Sequence, residues 1–335
     1  MKPTDFARYM SAFLGSHLPG VRNVSANTIH SYRDTYRLLL LYCEGTRGIK
    51  VERLSLAELT EGVVLGFLDW IQQERNCGIA TRNQRLAAIH ALFRYIQAEA
   101  PENLARSQKI LAIPLKRGPK PAVNYLSPEV VRQILEQPDR NTAEGRRDLS
   151  ILGLLYDTGA RVQELADLTV RDIRLDKPPL ITLTGKGRKS RHVPLMTNTA
   201  EMMARHMQDN DLFHKSRDCC LFVNRQGTKF NRAGIAYILE KYATRARCIS
   251  SGIPEGITPH VFRHSKAMHL FQSGVPLVYI RDLLGHADIG TTEIYARADT
   301  EMKRKALESA YPEMNSIALP DWNLDHGLLD WLTRL

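Results

Sequence analysis

His260, Arg263 and His264 stand at i, i+3 and i+4, so on a helix they share one face. Thr258 offers an N-cap and Pro259 suits the first helical position, which sets that face close to the positive end of the helix dipole. Imidazole and guanidinium groups beside unpaired N–H donors suit an anion, and phosphate is the usual one. A second helix, from Pro276 to Leu284, is expected to stop at Gly285 as a left-handed C-cap, with His286 directly after it. A third short element, capped by Thr291 or Thr292, carries Tyr295. A phenol titrates near about 10, so it attacks efficiently only when its proton is removed or the phenolate is stabilised. A tyrosine with arginines and histidines therefore holds the parts for nucleophilic attack on a phosphodiester without a metal.

These groups must be positioned by elements further upstream. Ser127 and Pro128 mark a helix start, and 147–157 is a strongly apolar helix ended by Thr158 and Gly159. Arg161 and Glu164 follow at i and i+3 on a new helix. An arginine at a helix start opposes the dipole and so needs another reason to be there. Residues 180–195, LITLTGKGRKSRHVPL, read as a strand, a glycine-rich basic turn and a return strand. Lys186, Arg188, Lys189 and Arg191 crowd that turn, which lacks the glycine spacing of a P-loop. Residues 196–257 are expected to supply two or three helices and a short strand at 221–223.

Residues 1 to about 110 read as all-helical, with apolar stripes through Tyr36 and Leu39, through Phe67 and Ile71, and through Leu86 and Phe93. The other face of the third stripe offers Arg82, Arg85 and Arg94, as a solvated face or as phosphate contacts. Residues 113–125, with three prolines and the bases Lys116, Arg117 and Lys120, read as an exposed, extended linker. Near the C-terminus, Trp322, Leu324, Leu328, Leu329, Trp331 and Leu332 form an apolar tail that needs a surface to cover it, in cis or in trans.

Composition narrows the class further. The 335 residues suffice for two domains, and a formal charge of +10 favours a polyanionic partner. Five cysteines, odd in number and without C-x-x-C spacing, read as reduced thiols of a cytoplasmic protein. His214 with the adjacent Cys219 and Cys220 makes a poor metal set, so neither metal nor cofactor is expected. The start of the chain is polar, unlike a signal peptide, and its apolar runs are too short to span a bilayer.

His-x-x-Arg-His, then Leu-Gly-His, then a tyrosine nine residues after that histidine, resembles the tyrosine recombinase (phage integrase) superfamily. The resemblance is strong over 126–311 and weak over 1–110. It implies a mainly α chain of two domains: a helical, SAM-like core-binding bundle (1–112) and a mixed α/β catalytic domain with a small antiparallel sheet (126–311). Between them lies the basic linker (113–125), and residues 312–335 become a tail for subunit contact. The implied catalytic set is Arg161, Lys186, His260, Arg263, His286 and Tyr295, with Glu164 in support. Arg161 and Arg263 would bind the transition-state phosphate and His286 would hold it. His260 would be the proton partner of Tyr295, and Lys186 the general acid for the 5′ oxygen, with Lys189 its nearest rival. Arg82, Arg85, Lys116, Arg117, Lys120, Arg188, Lys189 and Arg191 are the expected DNA contacts. The implied partner is double-stranded DNA with specific recombination sites, bound by a homotetramer that is monomeric or dimeric when free and nucleoid-associated in the cytoplasm. Integration or excision of a mobile element is the implied role. The alternatives are a type IB topoisomerase-like relaxing enzyme, a chromosome-dimer resolvase and a DNA-binding regulator that never cuts.

Overall fold

Apolar side chains at helical spacing gather into two separate cores. The computed structural model describes residues 2–118, 123–185, 187, 189–286, 289–298 and 332–333. The chain divides into two units, Met1–Pro121 and Ala122–Leu335.

The first unit is helical. Thr4 caps α1 (Asp5–Ala12), which runs on into a π-helical stretch, Phe13–Val21. Ser25 caps α2 (Ala26–Arg47), and Gly48, at φ 69°, ends it in the left-handed region. Then come α3 (Glu61–Gln73), α4 (Ile79–Glu99) and α5 (Leu104–Leu111). Tyr36, Leu39 and Cys43 of α2 pack with Phe67, Leu68 and Ile71 of α3 and with Leu86, Phe93 and Ile96 of α4. Each such fully buried side chain contributes roughly 1.5–3 kcal/mol.

The arginine face of α4 is less open than expected. Arg82 is 3% exposed, and one of its nitrogens donates to Asn83. Arg85 donates to the Ser31 carbonyl and to Thr35 Oγ1 of α2 at 3.2 and 3.0 Å. The cause is that α4 is contacted by α2, α3 and α5 together, so little of its circumference stays in water. Arg94 is exposed. The basic stretch after α5 also begins differently. Ile113 is buried in the helical core, the Lys116 backbone exchanges two hydrogen bonds with Asn83, and Lys116 Nζ donates to Gln72 at 2.7 Å. Arg117 is exposed, whereas Lys120 lies outside the described residues.

In the second unit Ser127 caps α6 (Pro128–Leu135), and α7 (Ala143–Thr158) ends at Gly159, φ 57°. A short α8 (Val162–Ala166) leads to a three-stranded antiparallel sheet of β1 (Ile173–Arg174), β2 (Leu180–Thr184) and β3 (Ser190–Pro194), in the order β1-β2-β3. Ile181 opposes Val193 and Leu183 opposes Arg191. The expected strand at 221–223 does not form. Leu221 and Phe222 are buried, but their segment makes only isolated bridges, Thr169 to Cys220 and Val223 to Lys229. Its neighbour across the bridge coils at once into a 3-10 turn, Val170–Asp172, and offers no extended edge.

The remaining helices are α9 (Thr197–Asp209), α10 (Arg232–Ile249), α11 (Pro259–Gln272), α12 (Leu277–Leu284) and α13 (Glu293–Ala298). Together the two units give a mainly helical fold with one small antiparallel sheet, the class expected from the sequence. Among the described residues no helix is long and apolar enough to cross a membrane. Of the apolar tail, only Leu332 is described, and it is exposed. Trp322, Leu324, Leu328, Leu329 and Trp331 lie outside the described residues.

Candidate active site

Helix α12 ends at Gly285, whose φ of 62° turns the chain and leaves the last carbonyls of the helix without helical partners. Three arginines meet three successive carbonyls there. Arg191 Nε donates to Leu283 at 2.7 Å, Arg263 to Leu284 at 2.5 Å, and Arg161 to Gly285 at 3.2 Å. The negative end of a helix dipole favours such cations. Arg263 also donates to the Gly159 carbonyl at 2.6 Å, so it bridges the C-termini of α7 and α12. It is 3% exposed. Burial, and then the neighbouring Arg161, lower its pKa to about 10, which leaves it charged at neutral pH.

Glu164 ties the arginines together. Its carboxylate accepts from the Arg161 backbone N–H at 2.9 Å and from the Arg161 guanidinium at 2.8 Å. Arg191 grips both of its oxygens, at 3.0 and 2.7 Å. Burial pushes this carboxyl up, but the paired arginines outweigh it and hold the pKa at about 2. Three guanidinium groups against one carboxylate leave a net positive cluster. Arg161, with 35% of its side chain exposed, is the member that faces solvent most openly, against 12% for Arg191.

His286 follows Gly285, and its Nδ1 lies 2.9 Å from the Thr292 hydroxyl. Burial, then Arg263 and Arg161, lower its pKa to about 4, so the imidazole is neutral. Tyr295, on α13, is completely buried. Burial drives its hydroxyl up to about 12, although Arg263 pulls in the other direction. That hydroxyl shares a hydrogen bond of 2.9 Å with His264 Nδ1.

The structure thus brings Arg161, Glu164, Arg263, His286 and Tyr295 into one region of the second unit. The hydrogen bond to the nucleophile's hydroxyl is made by a different histidine from the one expected as its proton partner. His260 is exposed on the first turn of α11, and His264, one turn further along, takes the tyrosine instead. Arg191 is corrected too, because its three donor nitrogens point inward to Glu164 and Leu283 and leave little for a DNA phosphate. Parity along β3 was the signal here, since Arg191 lies two residues before the buried Val193 and therefore on the same face. Lys189 is exposed, and Lys186 and Arg188 lie outside the described residues. No cluster of three metal-ligating side chains occurs among the described residues.

A helical unit followed by a mainly helical unit with a small sheet thus carries arginines, a histidine and a buried tyrosine in one cluster, a set of side chains suited to a phosphate. Comparison makes this specific. The phage integrase family model matches residues 124–302, and the N-terminal SAM-like domain model of phage integrases matches residues 13–100. The chain is 35% identical over 327 residues to a putative integrase/recombinase, y4rC, of Sinorhizobium fredii, covering 96% of this chain and 97% of that protein. It is 33% identical over 297 residues to the tyrosine recombinase XerC of Roseiflexus castenholzii, covering 87% and 89%. Among solved structures it is similar to the XerH site-specific recombinase bound to its difH substrate in a pre-cleavage complex, with a TM-score of 0.66, 25% identity and coverage of 85% and 80%. The fold also matches that of the Tn1549 transposon integrase in complex with transposon right-end DNA, with a TM-score of 0.69, 17% identity and coverage of 89% and 98%. The chain belongs to the phage integrase family and is a tyrosine recombinase, an enzyme of DNA strand cleavage and rejoining.

Proposed function

We propose that Tyr295 attacks a DNA phosphodiester to form a 3′-phosphotyrosyl link, which stores the bond energy so that rejoining needs no ATP. The observation that carries this reading is the convergence of Arg161, Arg263 and His286 on the end of α12, with Tyr295 packed behind them. Arg161 and Arg263 stabilise the charge that grows on the non-bridging oxygens, a contribution on the order of 3 kcal/mol for one preorganised donor. His286 donates to the same phosphate. Because its imidazole is neutral in the free protein, an arriving phosphate anion draws a proton onto it or meets its N–H. Glu164 orients Arg161. Lys186, carried by the hairpin turn, protonates the departing 5′ oxygen, with Lys189 as the rival for that role. The hydroxyl of Tyr295 is buried against His264, so cutting requires that it become accessible to the phosphate. His260, exposed at the head of α11, takes the proton of the Tyr295 hydroxyl as it attacks.

The physiological substrate in this reading is double-stranded DNA with specific sites, recombined by a homotetramer whose tails, 312–335, contact neighbouring subunits. In this reading 1–112 is the helical core-binding domain, 113–125 the basic linker and 126–311 the catalytic domain. The mobile-element role is supported by the integrase/recombinase from Sinorhizobium and the transposon integrase. Chromosome-dimer resolution is the second reading, and relatives named tyrosine recombinase, without mention of a mobile element, are compatible with it. Sequencing the DNA covalently trapped on the protein distinguishes them: element ends favour the first and a single chromosomal locus favours the second.

The mechanism itself is tested with a nicked duplex of that trapped DNA. Wild-type protein should form a covalent adduct that survives denaturing electrophoresis, in EDTA as well as without it. Tyr295→Phe should bind the duplex and form none. An adduct of wild-type yield from the variant would remove Tyr295 from the role, and a strict need for a divalent ion would point to a metal nuclease.

A further inference from the structure

We propose that Arg191 is a positioning residue for strand cleavage: it neutralises Glu164 so that the charge of Arg161 stays available to the DNA phosphate, and it locks the sheet to the end of α12 ahead of His286. This rests on the reading of Arg161, Arg263 and His286 as the phosphate-binding cluster.

The geometry is that of a built brace. Arg191 places a fork on both oxygens of Glu164, at 3.0 and 2.7 Å, while its Nε donates to the Leu283 carbonyl at 2.7 Å. Such bidentate pairing fixes the plane and the rotation of the carboxylate, which a single contact does not. Arg161 holds one of those oxygens, at 2.8 Å, and leaves a second nitrogen toward Gly285. With Arg161 alone, Glu164 would cancel the guanidinium that the phosphate needs. With Arg191 present, the three-group unit keeps one net positive charge, and the member facing solvent most openly is Arg161.

Two glycines make independent room for this brace. A Cβ on Gly285 would stand 2.9 Å from an Arg191 nitrogen and 3.1 Å from its Cδ. A Cβ on Gly185, at the end of β2, would stand 2.7 Å from Glu164 Oε1. The backbone therefore approaches the ion cluster from the hairpin and from α12 at once, so close that a Cβ at either glycine would force the paired side chains to shift. Arg191 lies on β3, so the brace also ties that strand to the end of α12.

The test uses full-length protein and the nicked duplex of trapped DNA. Arg191→Met should slow cleavage at saturating DNA on the order of 100-fold, as misplacement of a catalytic group does, while duplex affinity and its salt dependence stay as in wild type. Arg191→Lys keeps the charge without the fork and should recover part of that rate. It also replaces the Met variant as the test if the latter does not fold, with cleavage still slower than wild type at unchanged affinity. Adding Glu164→Gln to Arg191→Met should make cleavage faster than in Arg191→Met alone, because the carboxylate left to quench Arg161 is gone. A merely structural role would make the double variant worse. A fall of about one in the salt slope, with the saturated rate unchanged, would make Arg191 a phosphate contact and overturn the proposal. If wild-type protein forms no adduct, the reading of the cluster itself fails, and this proposal with it. If wild type cuts and Arg191→Met cuts as fast, only the proposal falls.

Discussion

The hydroxyl of Tyr295 and Nδ1 of His264 form a hydrogen bond inside an apolar cluster that includes Ala267, Met268, Ile280 and Leu284. Removing one partner of a buried pair strands the other, at a cost of roughly 1–3 kcal/mol, whereas removing both is milder. His264→Ala should therefore destabilise the protein by about that amount, a drop of a few degrees in melting temperature for a unit of this size. In the Tyr295→Phe background the same substitution should cost clearly less. Chemical denaturation of the two single variants and the double variant measures the coupling. Additive effects would mean that the bond contributes nothing to holding the nucleophile in place.

At the scale of elements, the end of α12 is the pivot, because the carbonyls of Leu283, Leu284 and the capping Gly285 each receive an arginine from a different part of the chain. Gly285 permits this through its left-handed φ of 62° and through the space it leaves for Arg191. Gly285→Ala adds backbone strain of about 1–2 kcal/mol and a steric conflict with the brace. Gly274 is a matched control, with φ 83° and open space around it. Both alanine variants should lower the melting temperature, but only Gly285→Ala should also lower the cleavage rate at saturating DNA. Equal cleavage by the two would show that the close approach at Gly285 has no bearing on the chemistry.

For the molecule as a whole, the site's electrostatics predict loss of stability in acid. His286 titrates at about 4 in the fold, below its ordinary 6.5, and Glu164 at about 2, below its ordinary 4.5. Both folded values are depressed, so each contribution is present above the unfolded value and fades as pH falls through the folded one. His264, His269 and His206 are lowered in the same direction, chiefly by burial. The melting temperature should thus fall first between about pH 6.5 and 4, through the histidines, and again below pH 4.5 through Glu164. His286→Asn should flatten part of the upper fall and leave the lower one. A melting temperature independent of pH from 7 to 4 would contradict the buried, neutral state of these rings.

What the sequence determined by itself was whatever depends on near neighbours. Period and capping residues placed α2, α4, α11 and α12 to within a few residues, since Ser25, Thr258 and Gly285 act on the turn beside them. Chemical type and order likewise made Arg161, Arg263, His286 and Tyr295 legible as one constellation. The tertiary structure decided whatever depends on which element packs opposite. Arg82 and Arg191 are cations whose charge suits solvent, although strand parity already set Arg191 on the side of the buried Val193. One was drawn inward because α4 is hemmed in by three helices, and the other because the buried carboxylate of Glu164 lies across from β3. His260 and His264 share a helix face, and only the docking of α13 selects between them. A side chain's neighbours along the chain are covalent facts, but its neighbours across the core come from the packing of every element at once, and a buried charge goes where its counter-charge is.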